Sequence, residues 1–458
     1  MDCDRKNRYR KYPCPQPAPL GGLQEEPFIM KVGVQKETVT KYLDRYAEAE
    51  AAIKLPGRHY DYSLVIPAFH EDQESVRKVW RRIDPGTSFL VILVVNSHVE
   101  EDSSARMLID GLTLNRQISQ ITNQIQLVEK IDDALGPDLL IIDRYSRGYS
   151  IDKKQGVGLA RKIGMDIAAS LINQRVVSGN WLFTTDADAV LPENYFNLQT
   201  GDADAAFIFP FKHVAPPGLK SPMQLYELSM LYYLAGLLWA NSPYAYPTIG
   251  STISCSLDRY AEVRGFPKRN TGEDFYLLNK LRKVGEVRLG DGDPILISGR
   301  ISNRVPIGTG QAIRAIHELD SPIEEFTVED PRCFSQLKHF LDWLNDISVT
   351  QPKKLLTGDP DTDEYVRHLG LMPHYERKRL QSPTPEVMRK HLHDWFDGLK
   401  TRQFIHYFRD QHFGRVTVAE LENTPFMSNI MDEARDLDTL LDTIATSLHT
   451  FIYHKNTC

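Results

Sequence analysis

Gly179-Asn-Trp-Leu-Phe-Thr-Thr-Asp-Ala-Asp-Ala-Val-Leu-Pro192 is the stretch whose reading decides the fold. Trp181 to Thr184 form a short apolar run of strand-forming residues, and Asp186 and Asp188 follow it before Pro192 opens the next element. A buried strand ending in a polar turn belongs to an open α/β sheet, where ligands gather at the carboxyl ends of the strands. Two carboxylates at i and i+2 in such a turn reach toward one point, and a divalent cation there offsets their repulsion. Alone, the pair equally describes a solvated acidic turn, because short motifs recur by chance.

Upstream, Tyr62-Ser-Leu-Val-Ile-Pro-Ala-Phe-His-Glu-Asp72 reads as a strand with a polar end, residues 74–83 as a helix, and Phe89-Leu-Val-Ile-Leu-Val-Val95 as a second strand ending at Asn96-Ser97-His98. Strand, helix and strand in this order make a βαβ unit with parallel strands, so the two polar ends lie side by side. Residues 103–130 read as helical, and Asp138-Leu-Leu-Ile-Ile-Asp143 as a third strand. Gly156-Val-Gly-Leu-Ala-Arg-Lys-Ile-Gly164 then opens a helix. Lys153, Lys154 and Arg161 beside these glycines form a candidate pyrophosphate cradle. The glycine spacing matches neither the dinucleotide nor the triphosphate loop, and a solvated basic helix face is the plainer alternative.

A chain of 458 residues exceeds one ordinary core, which predicts two or three domains. Hydrophobic residues at 41% and charged residues at 25% describe a globular protein. The net charge of -7 argues against nucleic-acid binding, which needs a basic surface. Cys3, Cys14, Cys255, Cys333 and Cys458 are scattered without metal-ligand spacing, so a reducing compartment is expected and a disulfide framework is not. The basic start at residues 1–10 is not followed by an apolar run, and no stretch has the length of a membrane span. A cytoplasmic protein is expected, with peripheral contact at the inner face of a membrane left open.

Residues 1–30 read as an extension and 36–55 as a helix. Downstream of the acidic pair, residues 204–210 read as a strand and 222–239 as the most apolar helix, either buried core or a groove for a lipid-linked acceptor. The small-residue run Thr248-Ile-Gly-Ser-Thr-Ile-Ser-Cys-Ser256 precedes Gly265-Phe266, and Glu273-Asp274 head a helix, where acidic residues are favoured by the helix dipole whatever their function. After a strand at 293–297, Arg300 and Arg304 lie in a Gly-containing loop suited to an anionic ligand. Beyond about residue 322, helices are expected at 331–347, 385–413 and 418–453, separated by linkers such as 357–363. Their aromatic residues read as the core of a helical domain, and the spacing of His391, His393, His406 and His412 does not suit a metal.

Together and in this order, Val65-Ile-Pro-Ala-Phe-His-Glu71, Gly156 to Gly164, Thr185-Asp-Ala-Asp188, Gly265-Phe266 and Gly272-Glu-Asp-Phe-Tyr276 resemble the family-2 glycosyltransferases of GT-A fold. The resemblance spans roughly residues 60–310 and implies an α/β catalytic domain with a mixed, mainly parallel sheet. It implies a nucleotide-diphosphate sugar donor bordered by Pro67, Ala68, His70, Glu71, Asn96, Lys154 and Arg161. Asp186 and Asp188 would hold Mg2+ or Mn2+, and Asp186, Arg300 and Arg304 would lie near the diphosphate. Asp274 resembles the general base and Glu273 a neighbour that shapes the site. Two departures stand out: Asn96 where many relatives have an Asp that contacts the base, and no clear His ligand late in the domain, where Ser298-Gly299-Arg300 and the distant His317 stand instead.

The resulting expectation is a metal-dependent transferase, inverting at the sugar carbon, that glycosylates a hydroxyl of a saccharide, lipid-linked or small-molecule acceptor. A retaining transferase and a non-catalytic nucleotide-sugar-binding scaffold are the alternatives. Domain boundaries are expected at 1–57 for the extension and first helix, 58–320 for the catalytic domain and 321–458 for the helical domain. Oligomeric state is not legible.

Overall fold

The computed structural model describes residues 28–130, 136–299 and 309–423. Helix α1 (Phe28–Arg45) and a 3-10 turn at Ala49–Ala52 precede β1 (Tyr62–Ala68), α2 (Gln73–Val79), β2 (Phe89–Asn96) and α3 (Ser103–Thr113). A hairpin, β3 (Gln117–Thr122) and β4 (Ile125–Glu129), leads to β5 (Asp138–Arg144), α4 (Gly156–Asn173) and β6 (Trp181–Thr184). Next come β7 (Ala189–Val190), β8 (Asp204–Ile208), β9 (Phe211–Val214), α5 (Lys220–Trp239), β10 (Ile253–Ser256), α6 (Leu257–Glu262), α7 (Glu273–Val284), β11 (Glu286–Leu289) and β12 (Ile295–Ser298).

The main sheet has nine strands in the order β11-β8-β10-β6-β1-β2-β5-β4-β3. Only β10 and β4 run against the others, so the sheet is mixed but mainly parallel. The buried runs of β1 and β2 pair residue for residue from Tyr62↔Phe89 to Ala68↔Val95. Helix α4 lies across them at a separation only glycine allows: a Cβ on Gly164 would fall 2.4 Å from Val65 Cγ1. A second sheet, β7-β12-β9, continues directly from the turn that holds Asp186 and Asp188.

The remaining elements are α8 (Thr309–His317), α9 (Pro322–Glu325), β13 (Thr327–Glu329), α10 (Pro331–Thr350), α11 (Pro360–Leu369), α12 (Leu371–Arg379), α13 (Pro385–Trp395), α14 (Gly398–Phe408) and β14 (Arg415–Thr417). Of the aromatic residues expected in their core, Phe334, Phe340, Phe396 and Phe408 are buried, Phe334 against α5, whereas Trp343, Trp395 and Tyr407 are only partly buried. The helical region is also tied to the sheet domain by polar contacts. Asp397 accepts from Asn279 Nδ2 at 3.1 Å and Lys283 Nζ at 2.7 Å, both on α7, and Tyr232 of α5 donates to the Glu329 carbonyl at 2.8 Å.

Several expectations need correction. Residues 103–130 are not one helix: α3 stops at Thr113, Asn115 turns the chain at φ 59°, and the alternating residues beyond it pair as β3 and β4. The expected helix at 385–413 breaks at Phe396–Asp397, where the Asp397 carboxylate caps α14 through the Lys400 N–H. The expected linker at 357–363 contains the start of α11, with Asp359 as its cap and Pro360 at its first position. The helix expected at 36–55 is instead α1 and the separate 3-10 turn. The amino-terminal extension to residue 27, the loop carrying Arg300 and Arg304, and residues 424–453 of the last expected helix lie outside the described residues. Among the described residues, no helix is long and apolar enough to cross a membrane.

Candidate active site

From β1 the chain moves outward to β2 and β5, then returns to the opposite flank of β1 to lay down β6. Such a reversal opens a crevice outside the carboxyl ends of the strands, the usual ligand position in an open α/β sheet. His70 and Glu71 follow β1, Asn96 ends β2, Lys154 precedes α4, and Asp186 and Asp188 follow β6. The topology therefore brings these sequence-predicted residues to one edge.

A charged cluster lies beneath that edge. Arg161, in the second turn of α4, is only 2% exposed. Its Nε donates to Glu273 Oε1 at 3.1 Å, its Nη1 to Thr184 Oγ1 at 3.2 Å, and its Nη2 pairs with Asp186 Oδ1. Glu273 and Asp274 occupy the first turn of α7, after Gly272 turns the chain at φ 68°. Burial works against the charge on Arg161, but Asp186, Glu273 and Asp274 hold its pKa above the ordinary value. Burial pushes the Glu273 carboxyl up to about 7 against the pull of Arg161, and burial likewise raises Asp274.

This arrangement revises the placement of Arg161 expected from the sequence. Each of its three nitrogens has a protein partner and its side chain is buried, so it stands behind the exposed edge of the crevice. The expected cradle at the start of α4 is likewise closed in part, since the Gly158 N–H donates to the Arg269 carbonyl at 3.0 Å. Lys154 is exposed beside it. Gly250, in the small-residue run, lies against the same arginine: a Cβ there would sit 2.3 Å from Arg161 Nη2.

On the other side of the crevice, Pro67 and Ala68 are buried within β1, leaving chiefly backbone for a ligand to meet. His70, at φ 52°, places Nε2 2.8 Å from Asp102 Oδ2, which also accepts from Ser97 Oγ at 2.7 Å. Against the cost of burial, bonds from Ser104, Ser97 and His70 hold Asp102 well below the usual carboxylate range. The ends of β1 and β2 are thereby joined. Sequence reasoning missed Asp102, although Asp before Ser103-Ser104 is a helix-start signal. Asn96 is 6% exposed, and its Oδ1 has no hydrogen-bond partner among the described residues. Tyr226 of α5, bonded to Thr309 Oγ1 at 3.2 Å, has its hydroxyl pKa raised by burial and by the field of Asp274.

Asp186 keeps 36% of its side chain exposed while one oxygen is committed to Arg161, and Asp188 is half-buried. Among the described residues, no group of three or more His, Cys, Asp or Glu is placed to hold a metal ion. An all-protein metal centre is therefore not assembled there, and His317 is exposed at the end of α8. The oxygen donors still suit Mg2+ or Mn2+ in one form: one or two carboxylates, completed by phosphate and water. Even with Glu273 protonated, Asp186 and Asp274 outnumber the single charge of Arg161 and leave negative charge for a cation to offset.

No protein-family model matches the chain, and no curated protein matches it. Among solved structures, it is similar to the mannosyltransferase PcManGT from Pyrobaculum calidifontis in complex with GDP-Man and Mn2+. Identity is 13%, the match covers 82% of this chain and 97% of that one, and the TM-score is 0.33. A mycobacterial protein matches at 14% identity over 64% of this chain and 83% of its own, with a TM-score of 0.29. Likenesses this distant carry no argument about activity.

Proposed function

We propose that the chain is a metal-dependent glycosyltransferase that moves a sugar from a nucleotide-diphosphate sugar to a hydroxyl acceptor, with inversion. The observation that supports this most is the pair of acidic groups, Asp186 after β6 and Glu273-Asp274 on α7, gathered around one buried arginine at the switch of strand order. Inversion needs a base on the acceptor side and a stabilised leaving group on the other side of the reacting carbon.

In this reading Asp186 and Asp188 hold Mg2+ or Mn2+, which when bound neutralises charge on the departing diphosphate. Pro67, Ala68, His70, Glu71, Asn96 and Lys154 border the donor, with Asn96 offering its buried amide. Arg300 and Arg304 belong to the same proposal as anion-binding residues of the following loop. Asp274 receives the acceptor proton. Burial raises its proton affinity, which strengthens it as a base. Residues 58–320 are assigned to the catalytic domain, and the described helices from α9 to α14 support it.

A positioned base contributes roughly 100- to 10,000-fold in rate. Asp274→Asn is accordingly expected to lose most turnover while retaining donor affinity, and Asp188→Ala to lose Mn2+-dependent thermal stabilisation by a nucleotide-diphosphate sugar. Full turnover in Asp274→Asn removes the base assignment. A wild-type protein stabilised by no nucleotide with either metal refutes the donor site, and a product with retained configuration refutes inversion.

A further inference from the structure

We propose that Arg161 is a positioning residue and not a donor ligand: its guanidinium sets the cation-side Asp186 in place relative to the acceptor-side helix α7. The proposal rests on the transferase reading for its catalytic consequence, while the clamp itself is a statement about the fold.

Four chain segments meet at this one group. Arg161 comes from α4, Thr184 and Asp186 from the end of β6 and its turn, Glu273 from α7, and Gly250 from a 3-10 turn. A guanidinium is planar and presents its donors in a fixed fork, so three acceptors bound to it are fixed relative to one another. The side chain is buried, so little of it is open to a phosphate. The turn at Gly250 closes over Nη2 with no room for a methyl group.

Backbone contacts repeat the same registration. Gly158 N–H binds the Arg269 carbonyl, and a Cβ on Gly158 would lie 2.3 Å from that oxygen. The segment containing Arg269 runs directly into α7. Helices α4 and α7 are therefore held together twice, once by backbone and once by Arg161 and Glu273. Glu273 serves as an acceptor for Arg161 in this arrangement, leaving Asp274 to face the acceptor hydroxyl.

Displacements of about 1 Å in a reacting geometry cost on the order of 100-fold in rate, even when they originate away from the chemistry. Two substitutions disturb the clamp without touching substrate: Arg161→Lys keeps the charge and loses the fork, and Gly250→Ala keeps the arginine and pushes the guanidinium aside. With saturating Mn2+, both are expected to lower kcat about 10- to 100-fold while donor KM and nucleoside-diphosphate affinity stay within about threefold. A tenfold rise in donor KM with kcat intact would show that Arg161 contacts the donor, and an unchanged kcat in both would remove the positioning role. If Arg161→Lys does not fold, Gly250→Ala provides the same readouts.

A thermal-unfolding double-mutant cycle between Arg161→Lys and Glu273→Gln, on protein without ligands, is independent of activity. Coupled melting shifts are expected, and additive shifts refute the clamp. A coupled cycle together with a wild-type protein that turns over no nucleotide-diphosphate sugar refutes the transferase reading alone.

Discussion

Asp166 offers a measurable account of how α1 is held to the sheet domain. Its carboxylate is 0% exposed and accepts four hydrogen bonds: Lys162 Nζ and the Glu48 N–H at 2.8 Å each, Tyr260 Oη at 3.0 Å, and Tyr42 Oη. Lys162 Nζ also donates to Tyr42 Oη at 2.8 Å and is itself buried. Asp166→Asn preserves volume but replaces one oxygen with an NH2 group. If that group takes the place of Oδ2, it faces the Lys162 ammonium and the Glu48 amide, donor against donors. Breaking one partner of a buried ion pair costs about 3–5 kcal/mol, a large part of the roughly 5–15 kcal/mol that stabilises a folded protein. Urea unfolding should show a lower midpoint with an unchanged slope. Adding Lys162→Met removes the stranded cation and should restore about 2 kcal/mol. A loss below about 1 kcal/mol, or no recovery in the double variant, would refute the view that this network is a compensated buried charge pair.

Glu273 predicts a pH dependence. The folded carboxyl keeps its proton up to about pH 7, whereas the unfolded one releases it near 4.5, so folding takes up a proton between these values. The associated stability is complete below the unfolded value and is lost as pH rises to about 7, at no more than about 1.4 kcal/mol per pH unit. Melting of the metal-free protein against pH should follow that fall in the wild type and lack it in Glu273→Gln; parallel profiles would contradict it. Asp397→Ala removes the cap of α14 and the acceptor for Asn279 and Lys283, and should cost about 2 kcal/mol. Because those partners lie on α7, turnover per folded molecule should fall as well, and a destabilised variant with full turnover would separate the helical region from catalysis.

Much of the sheet is legible in the chain because its signals are local. The buried strands β1, β2, β5 and β6 are short, largely apolar runs, and α4 starts at its glycine-containing segment and runs to Asn173. The β3–β4 hairpin is not, because a short run with Ile118, Ile121, Ile125 and Val128 fits helical spacing until the turn at Asn115 is known. The break at Asp397 is hidden for a similar reason: its carboxylate caps α14 locally but also binds Asn279 and Lys283, more than 100 residues away.

The site divides in the same way. The spacing of Asp186 and Asp188 after a strand, and of Glu273-Asp274 at a helix start, is covalent and local, so the sequence alone determined which acids stand at element ends. Tertiary structure alone decided what Arg161 does. Its partners Thr184, Asp186 and Glu273 lie 23, 25 and 112 positions along the chain, and Gly250 admits it from a fourth segment. An arginine beside glycines at a helix start looks like an anion site until burial removes water from it. The protein's own carboxylates then become its partners, since a desolvated charge must be compensated where it lies.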